Sequence, residues 1–299
     1  MIAAARGYLI RGLRFPINST ASVCGHLHGR CTGAEFTWTE LGEGLKGVLV
    51  KAPSADPSRI IVYFHGGGHW LLSTGAFREM GARLSAITKA TVLLVNYTKP
   101  PKAVFPQGLN EAYTAYQWAK KQVGGPQRVA VAGDSSGGNL AFALLVKLAQ
   151  LDEEQPCAAV GISPWLKLDL HTSPGNLYGI WCADLYLGRG KKTTTVADPL
   201  VSIVNISPEL LEKLPPLLLH GGLKELVTND IKEMAALCER HQHPLEVKLY
   251  PCPHDFQLGP CFKDASQDSF GLISEFLDRN WGPQEPMGLE GSRSTEVQL

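Results

Sequence analysis

Two glycine-rich strings constrain this chain more than any other feature. A strand-like run at residues 60–64 (Ile-Ile-Val-Tyr-Phe) leads directly into His65-Gly66-Gly67-Gly68, and a second at 129–132 leads into Gly133-Asp134-Ser135-Ser136-Gly137. In a Gly-x-Ser-x-Gly string behind a strand, the serine occupies a sharp strand-to-helix turn. Glycines two positions to either side remove collisions that larger side chains would make there. Both are present. The residues at 139–146 are mostly apolar and free of proline, which predicts a buried helix whose N-terminus points at Ser135. Unpaired NH groups and the helix dipole then favour negative charge developing beside the serine as it attacks a carbonyl. Either string alone reads equally well as a glycine turn. Together, each behind a strand, they point to nucleophilic catalysis by Ser135.

The 28 basic and 28 acidic residues cancel, so no electrostatic footprint argues for nucleic acid or an anionic membrane, and a neutral small molecule is the expected partner. Seven cysteines are scattered through 299 residues, which is no disulfide framework; a reducing compartment and a cytoplasmic location are expected. No apolar run approaches the roughly 18 residues that span a bilayer, so no transmembrane segment is expected. Residues 1–23 lack the continuous apolar core of a secretory signal. Arg6, Arg11, Arg14 and Arg30 precede the first acidic residue, Glu35, as in an organelle presequence. The reading preferred here is an amphipathic segment whose Tyr8, Leu9, Leu13 and Phe15 close over the site as part of a lid. Cys24, His26, His28 and Cys31 match no zinc spacing and read as a loop, so no metal is expected.

Further strand-like runs fall at 91–97, 158–162, 217–219 and 245–250, separated by helix-like segments at 77–89, 109–121, 139–151 and 230–240, with 266–280 closing the chain. This alternation predicts an α/β fold: a mostly parallel sheet with helices on both faces. Between 163 and 214 it lapses into a Gly-, Pro- and Thr-rich stretch, read as a small cap inserted near 165–208. The expected organisation is an N-terminal segment at 1–59, a core at 60–282 and a disordered tail at 283–299.

With these strings, Ser163-Pro164-Trp165, Asp198-Pro199-Leu200 and His254-Asp255-Phe256, the chain from about residue 60 to 281 resembles the hormone-sensitive-lipase-like branch of the α/β-hydrolase family. The resemblance implies a serine carboxylesterase that needs neither metal nor organic cofactor. It implies His254 as general base, because that residue follows the run at 245–250 and precedes the last helix, which keeps the chain order of serine, acid and histidine. It also implies an oxyanion hole made of the NH groups of Gly67, Gly68 and Ser136. Where the family carries an aspartate, this chain has Glu225. Both Glu225 and Asp230 follow the run at 217–219 and either is placed to be the acid; Glu225 lies nearer the strand end, whereas Asp230 suits a helix's first turn. Glu225 is the choice made here.

The expected activity is hydrolysis of a small or medium apolar ester, with specialised metabolism as its setting. Trp70, Phe77, Trp165 and Trp181 are candidates for an apolar wall. An acyltransferase or cyclase on the same fold stays open, since only exclusion of water separates it from a hydrolase. A non-hydrolytic small-molecule receptor on this scaffold is the alternative from another class. Retention of both Ser135 and His254 argues against it.

Overall fold

Strands buried at every position need cover on both faces, and four consecutive strands here, at 90–95, 129–134, 158–162 and 217–222, have that character. The computed structural model describes residues 33–168, 177–188 and 196–283. In chain order the main elements are β1 (Glu35–Gly42), β2 (Leu45–Lys51), β3 (Asp56–Phe64), α1 (Arg78–Thr88), β4 (Ala90–Val95), α2 (Gln107–Val123), β5 (Val129–Asp134), α3 (Ser135–Gln150), β6 (Ala158–Ile162), α4 (Leu177–Leu187), α5 (Pro208–Leu211), β7 (Leu217–Gly222), α6 (Thr228–Arg240), β8 (Leu245–Tyr250) and α7 (Lys263–Asn280). The sheet runs in the order β1-β2-β4-β3-β5-β6-β7-β8. Strands β3 to β8 pair in parallel, and β1 and β2 join antiparallel at one edge.

The twofold alternation of a strand divides each apolar run between two cores. On β3, Ile60, Val62 and Phe64 point to a core shared with Tyr116 of α2, Phe142 of α3 and Ile231 of α6; Ile61 and Tyr63 point to another, shared with Leu84 of α1 and Phe270 of α7. Every residue of helix α3 from Ser136 to Val146 is buried, as expected of a helix apolar all round that sits under a sheet. Among the described residues no helix is long and apolar enough to cross a membrane.

The expected boundary at residue 59 moves. Strands β1 and β2 lie within 1–59, yet they are the first two strands at one side of the central sheet, with Val48 and Val50 of β2 wholly buried in its core. Most residues of β1 are exposed, Trp38 to 54%. The proposed lid residues and the cluster at Cys24, His26, His28 and Cys31 lie outside the described residues, as do residues 284–299. Within the expected cap, Ala183 and Tyr186 of α4 pack with Leu168 and Val201 into a small core of their own, against Phe105 and Trp165.

Candidate active site

Parallel pairing brings the carboxyl ends of β3 and β5 together, with Phe64 opposite Gly133, so the two glycine-rich strings emerge side by side. Ser135, the first residue of α3, has φ of 51°, a left-handed conformation that a non-glycine residue adopts under strain. The turn closes because Gly133 and Gly137 lack side chains: a Cβ on Gly133 would meet the Gly137 carbonyl, and one on Gly137 would overlap the Phe64 carbonyl. Backbone cannot yield as a side-chain tip can. Gly137→Ala is therefore expected to destabilise the fold by at least about 1–3 kcal/mol, the usual range for overpacking, read as a lowered midpoint of thermal unfolding.

Asp134, immediately before the serine, holds the other string. Its Oδ1 accepts from the Tyr63 hydroxyl at 2.8 Å and from the Gly66 NH at 2.9 Å. A Cβ on Gly66 would run into this carboxylate, which gives the first glycine of the triplet its reason. Burial pushes the Asp134 carboxyl up to about 6, against the lowering effect of those two hydrogen bonds. His65 is stacked between Phe77 and Tyr97, with ring centroids 5.2 and 4.8 Å away, and its carbonyl accepts from the Tyr97 hydroxyl at 2.6 Å. The Ser136 hydroxyl accepts the His69 NH at 3.0 Å. Among the described residues no acceptor engages the NH groups of Gly67, Gly68 or Ser136, the three expected at an oxyanion hole.

The loops after β7 and β8 supply the remaining groups. His254 Nε2 lies 2.9 Å from Ser135 Oγ, and Nδ1 lies 2.8 Å from Glu225 Oε2. The Glu225 side chain is wholly buried, and its other oxygen accepts the Gly222 NH at 2.8 Å, so both carboxylate oxygens are fixed. Desolvation pulls the His254 imidazole down, but the hydrogen bond to Glu225 and the charges of Asp255, Glu225 and Asp134 outweigh it and lift the ring to about 9. Asp230 is elsewhere. It sits in the first turn of α6 and accepts the Lys167 NH at 3.1 Å, with burial raising its carboxyl to about 7. The structure thus brings Ser135, His254 and Glu225 together and leaves Asp230 out.

A cavity of about 620 Å³ opens above Ser135 and His254. Its wall is largely apolar, with Trp165, Tyr178, Leu223, Leu226 and Val227 prominent. Of the aromatic residues expected to line it, Trp165 does; Trp70 and Trp181 pack edge to face at 4.6 Å behind the wall, and Phe77 supports His65. His69 is buried against Tyr186 with ring centroids 3.8 Å apart, and desolvation lowers its imidazole to about 3. His220, also lowered by burial, to about 4, meets Ser269 at 2.8 Å. Neither touches Ser135. Among the described residues no group of three or more His, Cys, Asp or Glu is placed to hold a metal ion.

The alpha/beta hydrolase fold family matches residues 61–258. The chain belongs to that family. An acetyl-hydrolase of Streptomyces hygroscopicus is 33% identical over 204 residues, spanning 67% of this chain and 68% of the relative. An esterase of Acinetobacter venetianus is 28% identical over 239 residues, 78% of each chain. A crystal structure described as a hormone-sensitive lipase from a metagenome library superposes with a TM-score of 0.76 at 26% identity, covering 91% of this chain and 97% of that one. This α/β-hydrolase lies in the hormone-sensitive-lipase-like branch, with its eight-stranded, mostly parallel sheet.

Sequence reasoning passed over the clamping role of Asp134. Its partners Tyr63 and Gly66 lie 71 and 68 residues away, and only the pairing of β3 with β5 makes them neighbours. The signal available was a carboxylate directly before Ser135, in a strand otherwise wholly apolar.

Proposed function

We propose that Ser135 is the nucleophile, His254 its general base and Glu225 the acid that orients His254, in a serine carboxylic-ester hydrolase acting on a small or medium apolar ester. The observation that carries this reading is the continuous line from Ser135 Oγ through His254 to the buried Glu225 carboxylate, at 2.9 and 2.8 Å, at the floor of an apolar cavity. Glu225 keeps the proton of neutral His254 on Nδ1, so that Nε2 is free to take the Ser135 proton. As Oγ attacks the ester carbonyl, the NH groups of Gly67, Gly68 and Ser136 stabilise the oxyanion, helped by the N-terminal dipole of α3. His254 then protonates the leaving alcohol, and a water activated in the same way releases the acid.

The wall supports the substrate class. A cavity of about 620 Å³ is of a size that encloses most of a small ligand, and its wall is mainly apolar and aromatic, with Lys224 beside Leu223 and Glu225 already engaged by His254. The balanced net charge is in keeping with a neutral substrate and with no nucleic-acid partner, and the scattered cysteines with a cytoplasmic location. An acyl-chain series of aryl esters tests this. The specificity constant is expected to peak at short or medium chains and to fall for long ones; steady increase to long chains would rule out the proposed substrate size.

A further inference from the structure

The reacting nitrogen of His254 faces a second group besides Ser135. Asp255 Oδ2 lies 3.3 Å from Nε2, opposite in role to Glu225, which serves Nδ1. Two observations show that this carboxyl is held there. Asp255 has φ of 50° and donates its NH to the hydroxyl of Ser163 at 3.2 Å; Ser163 itself has φ of 43° and donates its NH to the His220 carbonyl at 2.6 Å. Two non-glycine residues in left-handed backbone, tied to each other beside a reactive site, are strain maintained by the surrounding fold. In addition, Asp255 Oδ1 is buried and has no hydrogen-bond partner, so the carboxyl is not placed to satisfy a structural donor through that atom.

We propose that Asp255 is a positioning residue for the reaction, its carboxyl at the Nε2 edge setting the proton affinity of His254 and keeping the ring in line with Ser135. This rests on the roles given above to Ser135 and His254. When Ser135 attacks, His254 becomes a cation, and with Asp255 present that cation has a carboxyl at each nitrogen. The ring is a stronger base for it. The same contact keeps the resting ring protonated to higher pH, so the working range moves to the alkaline side.

The charged surroundings agree. The groups facing Asp255 are Asp134 at the end of β5, Glu225 from the loop after β7, His254 on its own loop and the Tyr63 hydroxyl on β3. Burial and the Asp134 charge push the Asp255 carboxyl well above its ordinary range, while the His254 cation pulls it down. Reciprocally, Asp255 is among the charges that lift His254.

Asp255→Asn and Asp255→Gly both suit left-handed backbone, so they remove the ionisable carboxyl with little added strain. For each, the specificity constant is followed against pH, and the His254 ring is titrated by NMR in the folded protein. Both acid limb and ring titration are expected to move down by about one pH unit, the lower end of the usual effect of a nearby opposite charge. Fluorophosphonate labelling of Ser135 at alkaline pH is expected to persist. Limb and titration unchanged from wild type, even with a lowered melting temperature, would overturn the proposal, as would failure of both variants to fold. If wild type turns over no ester at any pH, the catalytic reading fails, and the ring titration, which needs no turnover, still decides the role of Asp255.

Discussion

Ser135→Ala is expected to abolish labelling by a fluorophosphonate and to lower ester turnover by about a million-fold, the loss measured when a serine hydrolase loses its nucleophile. The size of the effect follows from the geometry. Ser135 Oγ is the atom at 2.9 Å from His254 Nε2, and removing it leaves no hydroxyl in line with that base at the head of α3. The proposed oxyanion donors are backbone groups on Gly67, Gly68 and Ser136, so they survive the substitution and are expected to support a residual rate above that of water. The fold is expected to survive too. Alanine keeps the same Cβ at φ of 51°, and the surrounding packing that imposes the turn, Gly133 against Gly137 and Gly137 against Phe64, is untouched. Melting within a few degrees of wild type, together with lost labelling, separates a chemical role from a structural one. Retained labelling at another serine, with turnover intact, would dismiss Ser135 as nucleophile.

The parts of this site that were legible in the sequence are those whose reason is local. Gly133 and Gly137 flank the serine they serve, and the apolar strand before each string and the helix after Ser135 lie in the same stretch of chain. The carboxyl that partners His254 was legible to within two candidates, because Glu225 reaches the strand end through Gly222, three residues away, while Asp230 occupies a helical first turn with a duty to Lys167. What escaped depends on partners distant in the chain. The hairpin of β1 and β2 is half-exposed and joins the sheet by pairing with β4, more than forty residues on, so its place in the sheet is set by a partner distant in the chain. Trp70 and Trp181 meet only because α4 folds over the loop after β3, which turns two candidate wall residues into packing behind the wall. Asp255 meets Nε2 from a left-handed turn whose NH is held by Ser163, 92 residues earlier in the chain.

Glu225→Gln is expected to lower the specificity constant by about four orders of magnitude with the fold intact, as when a triad acid is replaced by its amide. Two oxygens do two jobs in the native site: Oε1 accepts the Gly222 NH at 2.8 Å and Oε2 faces His254 Nδ1 at 2.8 Å. Glutamine has one oxygen. The Gly222 NH requires it, so the amide NH2 turns to Nδ1 and donates there. That selects the tautomer with its proton on Nε2, which cannot accept a proton from Ser135. A second readout follows from charge. The His254 ring is lifted to about 9 against desolvation, in part by Glu225, and catalysis needs the neutral ring, so activity in wild type rises with pH as the ring loses its proton. Removing the Glu225 carboxylate takes away stabilisation of the cation; the ring then deprotonates at lower pH, and what activity remains shows its acid limb displaced downward. Asp230→Asn makes the opposite pattern a fair test, because asparagine retains an acceptor for the Lys167 NH and the native carboxyl does not touch His254. It is expected to leave the specificity constant and its pH dependence in place and to change stability by at most about 1 kcal/mol. Full activity in Glu225→Gln beside a large kinetic loss in Asp230→Asn, measured with matched melting curves, would transfer the acid's role to Asp230.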